Sequence, residues 1–178
     1  MRIELVDPDT ADPKLLDEIG VQTATVYLAG DFIAPADGYV ERLRDATRRA
    51  REAELWIALG DNGVLLGSVT FCPTGSSYVE IAEPGEGEFR MLAVSPLARR
   101  LGIGSNLVDK CIERSRELGH TGVRLSTMST MTAAHKIYQR LGFVRDEAHD
   151  WSPVPGVLLW AFYLALAGPV DSADVAGR

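Results

Sequence analysis

A stretch of glycines and arginines between a predicted strand and a predicted helix has the composition of an anion-binding loop. Its residues, after the apolar run 91–94 and a Ser-Pro pair, are Arg99, Arg100, Leu101, Gly102, Ile103, Gly104 and Ser105. The first backbone N–H groups of a helix have no partner within the helix and carry partial positive charge. Glycines let a phosphate approach those N–H groups closely, and arginines add charge. We therefore expect this loop to bind a phosphate-bearing ligand.

Two common phosphate-binding loops do not fit this spacing. A Walker loop needs a lysine directly after its last glycine, and Ser105 occupies that position. A dinucleotide-binding loop needs a third glycine three residues after the second, and Leu107 stands there. The sequence therefore argues against both of these nucleotide-binding classes.

Two motifs in the chain resemble those of the GNAT N-acetyltransferase superfamily. The pattern Arg-x-x-Gly-x-Gly, after a strand that ends Leu-Ala-Val-Ser-Pro, resembles the acyl-CoA pyrophosphate loop of that family. The later pattern Ala-x-x-x-Tyr-x-x-x-Gly-Phe, at residues 134–143, resembles its second signature and follows in the family's order. The element order matches over residues 54–166, and specific residues match over residues 88–143.

The resemblance implies an α/β mixed sandwich with a central, splayed, mostly antiparallel sheet flanked by helices. Acetyl-CoA or another acyl-CoA would enter the splay beside the strand at residues 88–94, as a co-substrate that needs no metal. The backbone of Leu92 and Val94 would pair with the pantetheine amides, and the residues from Arg99 to Ser105 would hold the pyrophosphate. Many family members carry an asparagine shortly before the helix tyrosine. In this chain the corresponding residues, 129–132, are Ser-Thr-Met-Thr and include no asparagine.

Two residues are candidates for catalysis by the same resemblance. Tyr138 would be the general acid for the leaving thiolate, although a half-buried aromatic residue on a helix would have the same sequence context. Glu88 would be the general base for the amine, directly or through water, and a structural role for a glutamate at a strand start is the alternative. The implied activity is direct acetyl transfer to a primary amine, carried by a small molecule or a peptide. A non-catalytic acyl-CoA sensor or interaction module of the same fold is the alternative function.

Other polar residues have less specific patterns. Glu80, Glu83 and Glu86 could line an amine-binding mouth, or they could form a solvated acidic loop. We expect His120 to interact with a helix end and His135 to be exposed, while His149 is left without a role. A helix at residues 37–52 would place its arginines on a solvated face, with an anion-binding patch as the alternative interpretation; these arginines are Arg44, Arg48, Arg49 and Arg51.

Several further elements follow from local patterns. Asn62-Gly63 between two apolar runs predicts a β-hairpin, because both residues tolerate positive φ. Residues 78–82 are predicted to extend a strand into the acidic loop that follows. A buried strand is expected at residues 157–166. The apolar run to which it belongs, residues 157–167, is too short to span a bilayer.

Composition limits the class of protein. The 178 residues predict one domain at residues 1–167, followed by a disordered tail at 168–178. A net charge of −7 argues against nucleic-acid binding, which needs a basic surface. The two cysteines, Cys72 and Cys111, form no metal-binding or disulfide pattern, and Met1 to Leu5 has no signal-peptide pattern. We expect a cytoplasmic protein without a membrane or nucleic-acid partner, and homodimers are frequent in the family.

Overall fold

A computed structural model describes residues 1–33 and 38–166. The tail predicted to be disordered, 168–178, lies outside the described residues. The chain mixes strands and helices, with three consecutive helices and then three consecutive strands in its first half and alternation in its second half. The strands are β1 Arg2–Leu5, β2 Glu54–Leu59, β3 Leu65–Cys72, β4 Glu86–Val94, β5 Gly122–Met128, β6 Val144–Arg145 and β7 Leu159–Ala165. The helices are α1 Pro13–Ala29, α2 Tyr39–Arg44, α3 Ala46–Glu52, α4 Ile103–Glu117 and α5 Thr132–Arg140.

The strands form one sheet in the order β1-β2-β3-β4-β5-β7-β6. All neighbours are antiparallel except β4 and β5, which are parallel. The predicted hairpin is confirmed between β2 and β3, where the Gly60 N–H donates to the Val64 carbonyl at 2.9 Å and Gly63 has φ +79°. The expectation of a mostly antiparallel sheet within a mixed α/β fold is therefore confirmed.

Helices cover both faces of the sheet. Alternate residues of a strand point to opposite faces. In β2, Leu55 and Ile57 pack into a cluster with residues of α1 and α3, whereas Ala58 packs into a second cluster with α4 and α5. The core is thus two layers of apolar side chains separated by the sheet, which fixes the sheet between helices. Among the described residues, no helix has the length and apolar character to cross a bilayer.

The sheet splays between β4 and β5. Only residues 86–88 of β4 pair with residues 122–124 of β5. Beyond that point β5 remains paired with β7 as far as Met128, and β4 remains paired with β3 as far as Val94. A bulge distorts β4 at the same level, because Ser68 pairs with Ala93 while Thr70 pairs with Arg90, and Met91 has φ +54°. The two strands therefore separate along more than half of their length, as expected.

The prediction of one continuous helix at residues 37–52 is wrong. Two helices, α2 and α3, meet at Asp45, whose φ/ψ of −78°/71° is not helical. The Asp45 carboxylate accepts the Arg48 N–H at 2.9 Å and so caps the start of α3. Residues 34–37 lie outside the described part of the chain.

Arg49 was expected on the solvated face, and this expectation is also wrong. Arg44, Arg48 and Arg51 are exposed, but Arg49 is fully buried. Its guanidinium donates to the Leu43 carbonyl at 3.0 Å, to Thr23 Oγ1 at 3.3 Å and to Thr70 Oγ1 at 3.4 Å. Burial lowers the pKa of Arg49 to about 10. The side chain therefore links α3 to α1, α2 and β3.

We predict that Arg49→Ala lowers the free energy of unfolding by about 2–4 kcal/mol, because it leaves a cavity and removes the donor from three buried acceptors. Arg48→Ala is the matched control, since Arg48 is exposed and, among the described residues, its side chain pairs only with Glu52, four residues along the chain. That control should cost about 0.5 kcal/mol or less. Urea denaturation of both variants gives the comparison, and equal losses would contradict a special role for Arg49.

Candidate functional site

A cavity of about 1240 Å³ opens where β4 and β5 separate. Its walls come from the separated part of β4, the glycine loop, the start of α4, and α5. Nine of the residues predicted from sequence line it: Leu92, Val94, Arg99, Arg100, Gly102, Ile103, Gly104, Ser105 and Tyr138. Leu101 does not, and its side chain is exposed. The fold thus brings both sequence motifs to one cavity.

The glycine loop presents backbone N–H groups to this cavity. Arg100 and Gly102 have left-handed backbones, with φ +65° and +79°. The Asn106 N–H bonds back to the Gly102 carbonyl at 3.0 Å, so the three helical residues before Asn106 have no acceptor within α4. A Cβ built on Gly102 would meet no atom within 4 Å. These residues fit an anionic group such as a pyrophosphate.

Two further cations in the cavity wall were missed from the sequence. Lys136 and Arg140 lie four residues apart on α5, so they share a helix face, and both line the cavity. Arg140 Nη2 donates to Ser105 Oγ at 2.8 Å, which joins α5 to the glycine loop. Their four-residue spacing within the second motif could have predicted that the two cations share a helix face. With Arg99 and Arg100 they make four cations around the cavity of an acidic protein, in addition to Arg90, which also lines the cavity and pairs with Glu80.

Tyr138 lies deep in the same cavity. Its ring packs at centroid distances of 5.8 Å from Phe89, 6.1 Å from Phe143 and 6.0 Å from Phe162. Within the described part of the chain, its hydroxyl has no hydrogen-bond partner. Burial raises the pKa of Tyr138 above its ordinary value, so the phenol stays protonated at neutral pH. The side chain is therefore a core aromatic residue that also lines the cavity.

A second cavity, of about 420 Å³, adjoins the first. Residues of the bulge and of β5 line both cavities, among them Arg90, Met91, Ser126 and Thr127. The rest of its wall is mostly apolar. A ligand in the large cavity and a ligand in the second cavity would meet beside the bulge of β4.

Glu88 does not line either cavity. Its side chain is fully buried, and Oε2 accepts the N–H groups of three consecutive residues, Glu80, Ile81 and Ala82, at 2.9, 2.9 and 3.1 Å. The strand predicted at residues 78–82 is not formed, because these N–H groups bond to one carboxylate and not to a neighbouring strand. This geometry favours the structural role for Glu88 over direct contact with an amine.

The acidic residues of this region separate into two environments. Glu80 lines the second cavity. Glu86 forms an ion pair with Arg124, and Glu83 Oε1 lies 3.1 Å from His149 Nε2, so neither faces the cavities. Asp146 and then Glu83 raise the pKa of His149 through hydrogen bonds. Of the three glutamates predicted to line an amine-binding mouth, only Glu80 therefore lines a cavity.

The remaining histidines are buried. His120 Nδ1 lies 3.3 Å from Ser115 Oγ, near the end of α4, as expected. His135 was expected to be exposed and is not, because its ring stacks on Trp160 at 5.6 Å and its Nε2 lies 3.0 Å from the Met128 carbonyl. Within residues 1–33 and 38–166, no group of three or more His, Cys, Asp or Glu side chains could hold a metal ion.

Comparison with known protein families decides the identity of the fold. The model of the acetyltransferase (GNAT) family matches residues 25–143. The chain belongs to the GNAT family. The match includes α4, α5 and the whole splayed part of β4 and β5, so the residues that line the large cavity all lie within the matched region.

Relatives with curated names match parts of this GNAT chain. An uncharacterised N-acetyltransferase of Schizosaccharomyces pombe is 32% identical over 102 residues, 57% of this chain and 58% of the relative. A mycothiol acetyltransferase of Cellulomonas flavigena is 35% identical over 112 residues, 58% of this chain and 32% of the relative. Human N-alpha-acetyltransferase 30 is 48% identical over 61 residues, 34% of this chain and 17% of the relative. The matches thus span between about one sixth and three fifths of these relatives.

Solved structures show the same fold at low identity. A GNAT-family acetyltransferase from Staphylococcus aureus Mu50 has a TM-score of 0.71 and 16% identity, covering 93% of this chain and 100% of that one. A Bacillus subtilis acetyltransferase in complex with CoA has a TM-score of 0.62 and 19% identity, covering 93% of this chain and 99% of that one. At these identities the likeness concerns the fold.

We predict that Gly102→Glu raises the Kd for CoA by roughly tenfold or more, because a carboxylate at the helix start repels the phosphates. Gly119→Glu is the matched control at the other end of α4. Both glycines have positive φ, +79° and +71°, and a Cβ on either would meet no atom within 4 Å. Calorimetric titration with CoA should therefore separate charge at the site from backbone strain, and equal affinities in the two variants would contradict the assignment.

Proposed function

We propose that this GNAT protein is an acetyl-CoA-dependent N-acetyltransferase that moves an acyl group directly to a primary amine. One observation carries the proposal: a cavity with three free helix N–H groups and five basic side chains extends along the splay to Tyr138 and a second, apolar cavity. The large cavity has the chemistry for an anionic ligand with a long arm. The small cavity exceeds roughly the 300 Å³ at which small-molecule sites begin.

Acyl-CoA would be held mainly by backbone groups. The N–H groups at the start of α4 would bind the pyrophosphate, with charge from Arg99, Arg100, Lys136 and Arg140. The separated edge of β4 leaves backbone groups without a strand partner, and those of Leu92 and Val94 would bond the pantetheine amides. Thr130 and Thr132 also line the cavity, so a hydroxyl is available near the position where many relatives carry asparagine.

Bound acyl-CoA supplies a thioester carbonyl carbon to the site. The backbone N–H of Val94 would stabilise negative charge on the carbonyl oxygen. Tyr138 would donate its phenolic proton to the sulfur as the carbon–sulfur bond breaks. The amine attacks in its neutral form, so an ammonium group first gives one proton to solvent. As the amide bond forms, the nitrogen loses a second proton to a base. Glu88 was the predicted base, but its enclosed carboxylate supports a positioning role.

A screen of thiol release tests the proposed function. The protein would be mixed with acetyl-CoA and a panel of amines, amino acids, polyamines, aminoglycosides and peptides, and free CoA would be measured. Release that depends on one class of amine is the expected result. Tight CoA binding without release over the whole panel would favour the alternative, an acyl-CoA sensor of the same fold.

We predict that Tyr138→Phe lowers kcat by roughly tenfold or more while CoA affinity and thermal stability change little. The substitution keeps the ring and its three aromatic contacts and removes only the hydroxyl, which has no partner to lose among the described residues. Tyr163→Phe, on β7 outside both cavities, is the control. Early melting with normal turnover per folded molecule would make Tyr138 a core residue only.

We predict that Glu88→Gln lowers stability by about 1–3 kcal/mol, since a charged acceptor of three buried N–H groups is lost. At saturating amine its kcat should stay within about threefold of the wild type, whereas removal of a general base costs about 10²- to 10⁴-fold. Thermal melting and the pH profile of kcat measure the two effects. A large fall in kcat with loss of the acidic limb of the profile would restore Glu88 as the base.

A further inference from the structure

The second cavity has walls of a distinct chemistry. Three methionines line it, from the bulge, the end of β5 and the start of α5: Met91, Met128 and Met131. Aromatic and aliphatic side chains complete most of the wall: Tyr27, Phe32, Ile33, Val154, Val157 and Leu159. Methionine is flexible and polarisable, so such a wall adapts to apolar chains of different shape. This surface would not solvate a ligand with several charges.

One carboxylate faces this apolar space. Among the described lining residues, Glu80 is the only acid, and Arg42 and Arg90 are the only bases. Arg90 Nη2 lies 2.7 Å from Glu80 Oε2, whereas the nearest cation to Oε1 is Arg42 Nη1 at 3.7 Å, beyond hydrogen-bond distance. A carboxylate oxygen has two acceptor directions. Glu80 Oε1 can therefore accept hydrogen bonds from a ligand while Oε2 keeps its bond to Arg90.

The position of Glu80 is fixed by Glu88. The Glu88 carboxylate takes the backbone N–H of Glu80 and of the two residues after it, so the turn that presents Glu80 is held against β4. Burial raises the pKa of Glu80 against the opposing effect of Arg90. A negative charge in such a partly dehydrated place is stabilised further by a bound cation.

Resting on the proposed function, we propose that the second cavity binds the acceptor as a primary ammonium group on Glu80 with its apolar chain among the three methionines. The acceptor class is an amine with one apolar, uncharged substituent. Polyamines and aminoglycosides are excluded, because their remaining charges would enter an apolar wall unpaired. Both a small alkyl or aryl amine and the amino-terminal residue of a peptide have this chemistry. Glu80 is then a substrate-binding residue, and Glu88 is the residue that positions it.

Steady-state kinetics with acetyl-CoA would compare hexylamine, leucine amide, a hexapeptide beginning with leucine, spermidine and an aminoglycoside. We expect kcat/KM to be at least roughly tenfold higher for the three apolar amines than for the two polycations. Hexylamine and the hexapeptide distinguish a small-molecule from a peptide source. Preference for either polycation would overturn the proposal.

Two variants test the residues. Glu80→Gln should raise KM for the preferred apolar amine by roughly tenfold or more, the effect of losing a hydrogen bond to a charged group, without changing the Kd for CoA. Glu83→Gln is the matched control from the same loop, exposed and outside both cavities. Met128→Lys, which changes a residue of the second cavity only, should abolish binding of apolar amines and keep that of CoA. An unchanged KM in Glu80→Gln would overturn the assignment.

A direct binding measurement separates this inference from the proposed function. Calorimetric titration of hexylamine into the CoA-bound protein should show binding that Glu80→Gln weakens and Glu83→Gln does not. Such binding without acetyl transfer would contradict the proposed acetyltransferase activity and support the proposed apolar amine site. If Glu80→Gln and Met128→Lys leave transfer to amines unchanged, the proposed acetyltransferase activity stands and the proposed amine site is wrong.

Discussion

The short pairing between β4 and β5 is the constraint on which the rest of the site depends. Three residues of each strand are joined, and beyond them each strand stays bonded only to its outer neighbour. Unpaired backbone groups in a protein interior need other partners. The bulge at Met91 and the glycine loop after β4 leave such groups facing one cavity, where a ligand with amides and phosphates can take the place of the missing strand contacts.

Glu88 illustrates how a carboxylate can serve a site without facing it. Three consecutive backbone N–H groups converge on one oxygen, which is possible only if residues 80–82 turn tightly around the side chain. The buried charge is thus used to shape a loop, and the loop delivers a second carboxylate to the apolar wall.

Much of the fold and of the large cavity could be predicted from the sequence, because local patterns determine them. Gly102 and Gly104 mark a strand–loop–helix unit, and the spacing of Ala134, Tyr138 and Gly142 marks a helix with a defined end. The errors concern tertiary contacts. Residues 78–82 look like the extension of a strand until Glu88 is seen to accept the N–H groups of residues 80–82. Arg49 looks like its exposed neighbours until Asp45 caps a new helix and turns that side chain inward. The apolar cavity brings together residues from distant segments, and no local pattern contains it.

The contact between Arg140 and Ser105 has a consequence for the stability of the folded chain. The two halves of the sheet share few hydrogen bonds across the splay, and among the described residues one exposed side-chain hydrogen bond joins α5 to the glycine loop. A ligand that bonds to both halves therefore adds hydrogen bonds to a junction that the polypeptide holds mainly through apolar packing. By mass action, a ligand at 100 times its Kd stabilises a fold by about 2.7 kcal/mol. The abundance of a metabolite would then set how long the protein resists unfolding and proteolysis, so its lifetime would follow the metabolic state of its surroundings.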